Sequence, residues 1–375
     1  MKVKWILFVI PVILFLQILN TKSGAAVNPT TIDSIRNKTV PSEQDKQTID
    51  RFLNEQIEQL VRITRDFSTV SRIRTIILSK QGTEGQYGNW FSELAKKHIQ
   101  EGLKQAQTIE SQDRRNKVIV NLLILIDGLQ DLRLIDLVTP YLNSDNMVIR
   151  YWAVHSLTNP GIIKQINSNL ADNTTIAENI TQRLGQLTET SGPEILIQIA
   201  KFADDLDIPQ TVDLSIKVAD ARIKKYEDWT VTQELYDIII LKALEGKLQT
   251  ASATDKDKIA QRFAQLYSYA IQRYTKGYDI LNDTQKRNLI SIMIDIEEKC
   301  ISRILGGSQT GIRRAIERNS IPALIEEHNR LLGSDTTEGQ LPAKLNFDYG
   351  TTDNGSKRTA PLALPDPPQK PNSNN

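Results

Sequence analysis

The fold of this chain is decided by residues 145–157, which read DNMVIRYWAVHSL. Successive residues of an α-helix are turned by about 100°, so Ile149, Ala153 and Leu157 lie on one face. Ser156 extends this face, and the small side chain of Ala153 allows a neighbouring helix to approach closely. We therefore predict a helix that buries this face against another helix.

The other side of this helix carries Tyr151, Val154 and His155, and Trp152 flanks it. Aromatic side chains that become buried in an interface contribute much of the binding energy of protein complexes. We therefore predict that Tyr151, Trp152 and His155 form a partner-binding surface. The alternative for Trp152, and for Trp229 farther along the chain, is ordinary packing in the core.

The same stretch resembles the second helix of a HEAT repeat. That family places an Asp in the turn before the helix, an aliphatic residue and an Arg at its start, a small residue three positions after the Arg and a Leu seven positions after it. These places are taken here by Asp145, Ile149, Arg150, Ala153 and Leu157. Arg150 lies at the edge of the buried face, from which it can reach turn carbonyls or Asp145. The resemblance implies helix pairs that stack into an α-solenoid.

The HEAT-like unit covers residues 131–161. Its first helix is expected over Leu132–Leu142, and its second helix is expected to stop at Asn159-Pro160-Gly161. Just before this unit, Val118–Ile126 is rich in β-branched residues. No second strand-like run of comparable quality exists to pair with it, so we predict a buried helix there.

Apolar spacings of three and four predict helices over most of residues 42–332. The first begins at Ser42, whose side chain can cap the free amides of the first turn. We predict an all-α fold that starts as an irregular, HEAT-like α-solenoid over residues 42–226. Helices over residues 227–333 either continue this helical-repeat array or form a C-terminal helical bundle.

Residues 1–26 have the three parts of a secretory signal peptide: two lysines, an apolar run from Trp5 to Leu19, and small residues before a cut after Ala26. The alternative is a retained membrane anchor, but the apolar run is shorter than the ~20 residues that a span needs. Residues 27–41 are polar and predict a flexible lead-in. We expect an exported protein, periplasmic or secreted, and prefer a bacterial envelope because a lone cysteine offers no disulfide framework.

The balance of charge argues against nucleic acid as a partner. Signal cleavage removes Lys2, Lys4 and Lys22 and no acidic residue, which changes the formal net charge from +1 to −2. A near-neutral chain lacks the basic surface that supplies most non-specific nucleic-acid affinity. No segment after the signal peptide is long and apolar enough to span a bilayer, so we predict no membrane span in the mature chain.

The sequence carries no catalytic signature. It contains no Gly-x-Ser-x-Gly, His-Glu-x-x-His or phosphate-binding Walker motif. Its histidines, His98, His155 and His328, are far apart along the chain, so we predict neither a metal site nor a cofactor. The sole cysteine, Cys300, lies in a helical stretch and is expected to be a buried, unreactive thiol.

Residues 334–375 differ in composition from the rest of the chain, since Asp, Thr, Gly, Asn, Ser and Pro predominate. So few apolar groups cannot offset the entropy lost on ordering, and we predict a disordered tail. The alternative is that Leu362–Pro368 is a short ligand segment.

Together these features predict an exported helical-repeat scaffold or adaptor that binds a protein or peptide partner and has no catalysis of its own. One alternative is a helical-domain enzyme that acts on a cell-envelope polymer through a lone acidic residue. A deep pocket that holds a Glu or Asp with a raised pKa would favour that alternative. Another is a purely structural element of an envelope assembly.

Overall fold

A computed structural model describes residues 26–62, 67–82, 84–352 and 354–368. The predicted signal peptide, apart from Ala26, lies outside the described residues, and so do residues 369–375 of the predicted disordered tail.

Helices make up nearly all of the regular structure. The α-helices, in chain order, are α1 Pro29–Arg36, α2 Glu43–Arg62, α3 Phe67–Ser79, α4 Gly85–Gln107, α5 Gln112–Leu129, α6 Ile135–Val138, α7 Met147–Leu157, α8 Pro160–Ser168, α9 Leu170–Leu187, α10 Pro193–Asp205, α11 Gln210–Glu227, α12 Asp237–Thr250, α13 Ala253–Lys276, α14 Asp283–Ile296, α15 Ser302–Leu305, α16 Gly311–Glu317, α17 Ile321–Leu332 and α18 Gln340–Leu345. Short 3₁₀ turns lie at Leu132–Leu134, Thr139–Tyr141, Thr188–Thr190 and Glu234–Tyr236, and a π-turn lies at Glu297–Ile301. Two antiparallel strands, β1 Gly333–Ser334 and β2 Thr337–Glu338, form a minimal hairpin.

The helices stack in two layers. In one layer α3, α5, α7, α10, α12 and α14 contact one another in that order. In the other layer α2 contacts α4. Farther along this layer α9 contacts α11, α11 contacts α13, and α13 contacts α17. A continuous apolar core lies between the layers. The prediction of an all-α helical-repeat array is confirmed.

Local sequence signals set several of these helices. The Ser42 hydroxyl accepts the Asp45 N–H at 3.3 Å, and the Asp45 carboxylate accepts the Ser42 N–H at 2.7 Å, so α2 begins with a reciprocal cap. The β-branched run Val118–Ile126 lies inside α5, as predicted. It forms a helix because neighbours on both sides, α4 and α7, cover its apolar residues.

Two prolines shape the HEAT-like unit, and one of them breaks its first predicted helix. The predicted helix over Leu132–Leu142 is broken into 3₁₀ turns around the short α6, because Pro140 has no N–H to donate to a continuous helix. The second predicted helix does end before Asn159-Pro160-Gly161, since α7 stops at Leu157, and Pro160 then begins α8. Its fixed φ suits the first helical turn, and the Asn159 side chain accepts the Gly161 N–H at 2.9 Å to cap that turn.

The prediction of a flexible lead-in over residues 27–41 is wrong for α1. This helix buries Ile32 and Ile35 in the core. Just before it, the Val27 side chain is buried and the Val27 N–H donates to a carboxylate oxygen of Glu55 at 2.8 Å. Two apolar residues three positions apart suffice to dock a helix of this length on α2.

The prediction of disorder is also wrong for residues 334–352 and 354–368. Leu341, Phe347 and Leu364 are buried in the core, and the Tyr349 hydroxyl donates to the Leu332 carbonyl at 2.8 Å. The composition of the segment is poor in apolar residues on average. It docks because those few residues meet surfaces that α13 and α17 have already formed.

Candidate partner-binding surface

Helix α7 carries the candidate residues and lies between α5 and α10 in one layer. It begins at Asn146, whose side-chain oxygen accepts the N–H of Val148 at 3.0 Å and of Ile149 at 3.2 Å. Ile149, Ala153 and Leu157 are all buried, and Ala153 and Leu157 have no exposed surface. This face anchors the helix in the core.

The three candidate partner-binding residues form one aromatic cluster. The Tyr151 ring meets Trp152 edge-on at 5.7 Å between centroids, and His155 lies 5.1 Å from Trp152 and 5.8 Å from Tyr151. All three side chains are half-buried. The cluster therefore presents one aromatic edge to the outside and packs its other edge on the helix layer.

The outer side of α7 is narrower than the sequence suggests. Val154, expected there, is completely buried, because α7 has a neighbouring helix on both sides of its layer. Arg150 is half-buried, and its Nε is enclosed without a hydrogen-bond partner among the described residues. Asp145 is exposed, and no ion pair joins it to Arg150 within the described part of the chain.

His155 is tied to the neighbouring helix α5 through Asp127. Its Nδ1 lies 2.8 Å from the Asp127 carboxylate, which also accepts the Asn159 side-chain amide at 2.9 Å. The bond to Asp127 raises the pKa of His155 above its ordinary value. One edge of the aromatic cluster can thus carry a positive charge in mildly acidic conditions.

A cleft of about 440 Å³ opens beside the start of α7, between α3 and α5. Val148 lies at its edge with an exposed side chain, and the preceding Met147 is also exposed. The cleft is lined by residues of three helices and one cap: Arg74, Asp113, Asn116, Lys117, Val120, Asn121, Ile124, Asn146 and Val148. Its volume is in the range of sites that hold a side chain or a small ligand.

The cleft has an apolar floor and a polar rim. The half-buried Val120 and Ile124 supply the floor, while Lys117 and Asp113 form an ion pair at 2.7 Å on the rim. Sequence reasoning missed this cleft and Asp127, since their residues come from helices far apart in the chain. The one local signal for the cleft was the pair Met147-Val148. Both residues are apolar and begin a helix, but neither belongs to the face of Ile149, Ala153 and Leu157.

Buried acidic groups elsewhere are engaged in internal packing. Asp237 accepts two bonds from the Arg222 guanidinium, at 2.6 and 2.9 Å, and one from the Tyr226 hydroxyl at 2.7 Å. Glu297 accepts the N–H of Ile312 at 2.7 Å and so holds the start of α16. Burial raises the pKa of Asp237 and of Glu297, but neither lines the cleft beside α7. These two groups therefore give the alternative of a lone acidic catalyst no support.

The remaining candidate groups are also bonded within the fold. His98 lies 2.9 Å from the Asp50 carboxylate, and His328 lies 2.8 Å from the Ser268 hydroxyl. Burial raises the pKa of the Cys300 thiol to about 12, which keeps it protonated. Within the described ranges, no group of three or more His, Cys, Asp or Glu side chains is placed to hold a metal ion.

None of the helices that the structure describes combines the length and the apolar composition that a membrane crossing requires.

No family model matches the chain, and no curated protein sequence matches it. The solved structures that match include the crystal structure of an engineered protein from the Northeast Structural Genomics Consortium. It is 10% identical, the match covers 85% of this chain and 97% of the engineered one, and the TM-score is 0.24. A likeness at this level carries no argument about function.

Proposed function

We propose that this protein is an exported helical-repeat scaffold or adaptor, related to HEAT repeats, that binds a protein or peptide partner and has no catalysis of its own. The observation that carries the proposal is the surface of α5 and α7, defined as Tyr151, Trp152 and His155 together with the adjoining cleft. Aromatic groups beside an apolar cleft are the composition typical of binding hot spots.

The chemistry of this surface favours a partner that inserts an apolar side chain. The cleft floor is apolar, and the exposed Val148 side chain extends this apolar lining outward. The imidazole of His155 and the ion pair of Lys117 and Asp113 on the rim supply polar groups of both signs. Such groups fix the position of a bound partner more than they add to its affinity.

The surroundings of Val27 are compatible with the proposed cleavage after Ala26. If the leader is cut after Ala26, Val27 gains an ammonium group at the position where its N–H now donates to Glu55 at 2.8 Å. A carboxylate is thus already in place for the new charge. The bond to Glu55 can therefore be kept when the chain begins at Val27.

Site-directed photo-crosslinking tests the binding surface. A photo-reactive phenylalanine at Val148, in the tagged chain expressed in its native envelope, is expected to capture a polypeptide. The same group at Lys224, which is exposed on α11, is the matched control. Tyr151→Ala combined with the Val148 probe is expected to reduce the captured band.

The proposal fails if the Val148 probe captures nothing, or only what the Lys224 probe captures. It also fails if Tyr151→Ala leaves the band unchanged while the variant folds normally by circular dichroism.

A further inference from the structure

The C-terminal segment lies in a cradle beside α13. We call the side chains of Trp229, Gln265, Gln272 and Lys276 the tail cradle, because each bonds to this segment. Gln265, Gln272 and Lys276 are spaced by seven and four residues, so they lie on one face of α13. Trp229 joins them from the turn that follows α11.

The tail cradle binds the segment mainly through its main chain. The Gln265 side chain accepts the Leu362 N–H at 2.8 Å and donates to the Leu362 carbonyl at 3.1 Å. The Gln272 side chain accepts the Leu364 N–H at 2.6 Å and donates to the Leu362 carbonyl at 3.0 Å. Main-chain recognition of this kind depends little on the exposed side chains of the bound segment, so sequences that differ only at those positions can fit.

The bound segment has the burial pattern of a polyproline II helix. Pro361 and Leu364 are buried and Pro367 is half-buried, whereas the residues between them are exposed. A period of three is that of polyproline II, which has three residues per turn and no internal hydrogen bonds. Its N–H and carbonyl groups are therefore free to bond to the tail cradle.

Trp229 is held in an unusual backbone conformation to reach the segment. Its φ is +56°, in the left-handed region, and its indole N–H donates to the Pro365 carbonyl at 3.0 Å. The indole lies on the Arg273 guanidinium at 5.2 Å, and a Cβ on Gly277 would lie 2.9 Å from the ring. Bulky residues rarely adopt this conformation, and such strain is concentrated at binding sites.

The end of the tail cradle adds a preference for negative charge. The Lys276 ammonium donates to the Leu364 carbonyl and lies 3.2 Å from the Asp366 carboxylate, which is almost fully exposed. The pair contributes little affinity there, but it favours an acidic residue directly after the proline.

We propose that the tail cradle is a binding site for a proline-rich segment of a partner protein. The segment binds as a polyproline II helix, with an apolar residue in the place of Leu364 and an acidic residue in the place of Asp366. The chain's own tail is an internal competitor for this site. A tethered segment acts at an effective concentration of about 1 mM, so a free ligand binds well only when the tail is released. The inference concerns a site other than the α5 and α7 surface and does not rest on it.

Fluorescence anisotropy of a labelled peptide of residues 358–368 tests this on the full mature chain. Leu364→Asp places a charge where the side chain is 1% exposed, which releases the tail, and we expect this variant to bind the peptide at least about tenfold more tightly than the wild type. Leu362→Asp is the matched control, because that side chain is 45% exposed and its change leaves the tail bound. Should Leu364→Asp fail to fold by circular dichroism, Leu364→Ala provides the same comparison.

Two further measurements test whether the peptide binds at the tail cradle and through its main chain. Adding Gln272→Ala or Trp229→Phe to Leu364→Asp is expected to weaken peptide binding by about tenfold, since the first removes two main-chain bonds and the second removes one. A peptide that keeps the prolines and the residues at 364 and 366 but changes the exposed ones is expected to bind equally.

The proposal is overturned if the peptide does not bind folded Leu364→Asp, or if Gln272→Ala and Trp229→Phe have no effect. It is also overturned if only the tail's own sequence binds. Light scattering tests whether the tail instead joins two copies of this chain. A wild-type dimer that Leu364→Asp dissociates would show that it does.

Discussion

Leu157 and Ala153 lie on the same buried face of α7. We expect that shortening Leu157 and enlarging Ala153 both lower the free energy of unfolding. Leu157→Ala removes a fully buried side chain and should lower the free energy of unfolding by roughly 2–5 kcal/mol. Ala153→Leu adds volume where there is no space and should lower it by roughly 1–3 kcal/mol. Urea denaturation followed by circular dichroism measures both. Exposed Met147→Ala is the control, with a change of about 0.5 kcal/mol or less.

His155 makes stability depend on pH with a defined sign. Asp127 raises the pKa of His155 in the folded protein above the unfolded value of about 6.5. The stabilisation is therefore fully present below about pH 6.5 and is lost as the pH rises through the folded pKa. We expect His155→Gln to reduce the free energy of unfolding more at about pH 5.5 than at about pH 8.5. Equal reductions at both values would contradict the charged bond to Asp127.

His328 provides a control of opposite sign. Burial lowers its pKa, so the folded state holds it neutral. Keeping His328 neutral costs the folded protein nothing above the pKa that this residue has in the unfolded chain. As the pH falls below that pKa, the folded protein loses stability. The wild type should therefore lose stability relative to His328→Asn at about pH 5.5, where His155 contributes most.

At the scale of elements, the ion pair of Arg222 and Asp237 joins α11 to the start of α12. Both side chains are almost completely buried and bond in two places. Arg222→Ala would leave a buried carboxylate without its partner and should lower the free energy of unfolding by about 3–5 kcal/mol. Arg262→Ala breaks the exposed bond to Asp220 at 3.0 Å and should cost about 0.5 kcal/mol. Similar costs for the two variants in urea denaturation would show that burial of the first pair has no energetic consequence.

The elements that the sequence predicts well are those set by local periodicity. The face of Ile149, Ala153 and Leu157 follows from spacing alone, and it is buried in a helix. Val118–Ile126 is also helical, as predicted from the lack of a second strand-like run to pair with it. Asp127 could not be assigned to His155, because their contact depends on how α5 packs beside α7. The cleft could not be predicted for the same reason.

Composition is a poorer guide at the ends of the chain. Averaged over residues 334–375, it predicts disorder, yet Leu341 and Leu364 are buried because the helices beneath them provide ready-made surfaces. The polar lead-in is ordered for the same reason, since Ile32 and Ile35 dock on α2. Short segments that fold onto an existing core need few apolar residues, and an average over a long polar stretch does not detect them.

In the whole molecule, each helix mainly contacts its neighbours in the two-layer array, so a change at one end stays local. Cleavage at the amino terminus can therefore be tested without disturbing the rest of the fold. Intact mass of the exported protein is expected to show a chain that begins at Val27. A mass that includes residues 1–26, in material bound to the membrane, would mean that the leader is kept as an anchor.

The Glu55 carboxylate gives the same processing step a second measurement. In the chain that begins at Val27, Glu55→Gln should lower the free energy of unfolding by roughly 1 kcal/mol, because the new ammonium loses its partner. In a chain with residues 1–26 retained, only a neutral amide is affected and the loss should be smaller. Equal losses in the two chains, by urea denaturation, would show that Glu55 does not respond to the new charge.

The bond between Val27 and Glu55 also bears on the timing of folding. If it strengthens only once the amino group is free, the precursor is the less stable of the two forms. A less stable precursor stays unfolded for a larger fraction of the time, and translocation through a narrow export channel requires an unfolded chain. If the chain is exported as proposed, removal of the leader would then complete the fold after passage through the membrane. The Glu55 carboxylate would thus make the stability of the fold depend on cleavage.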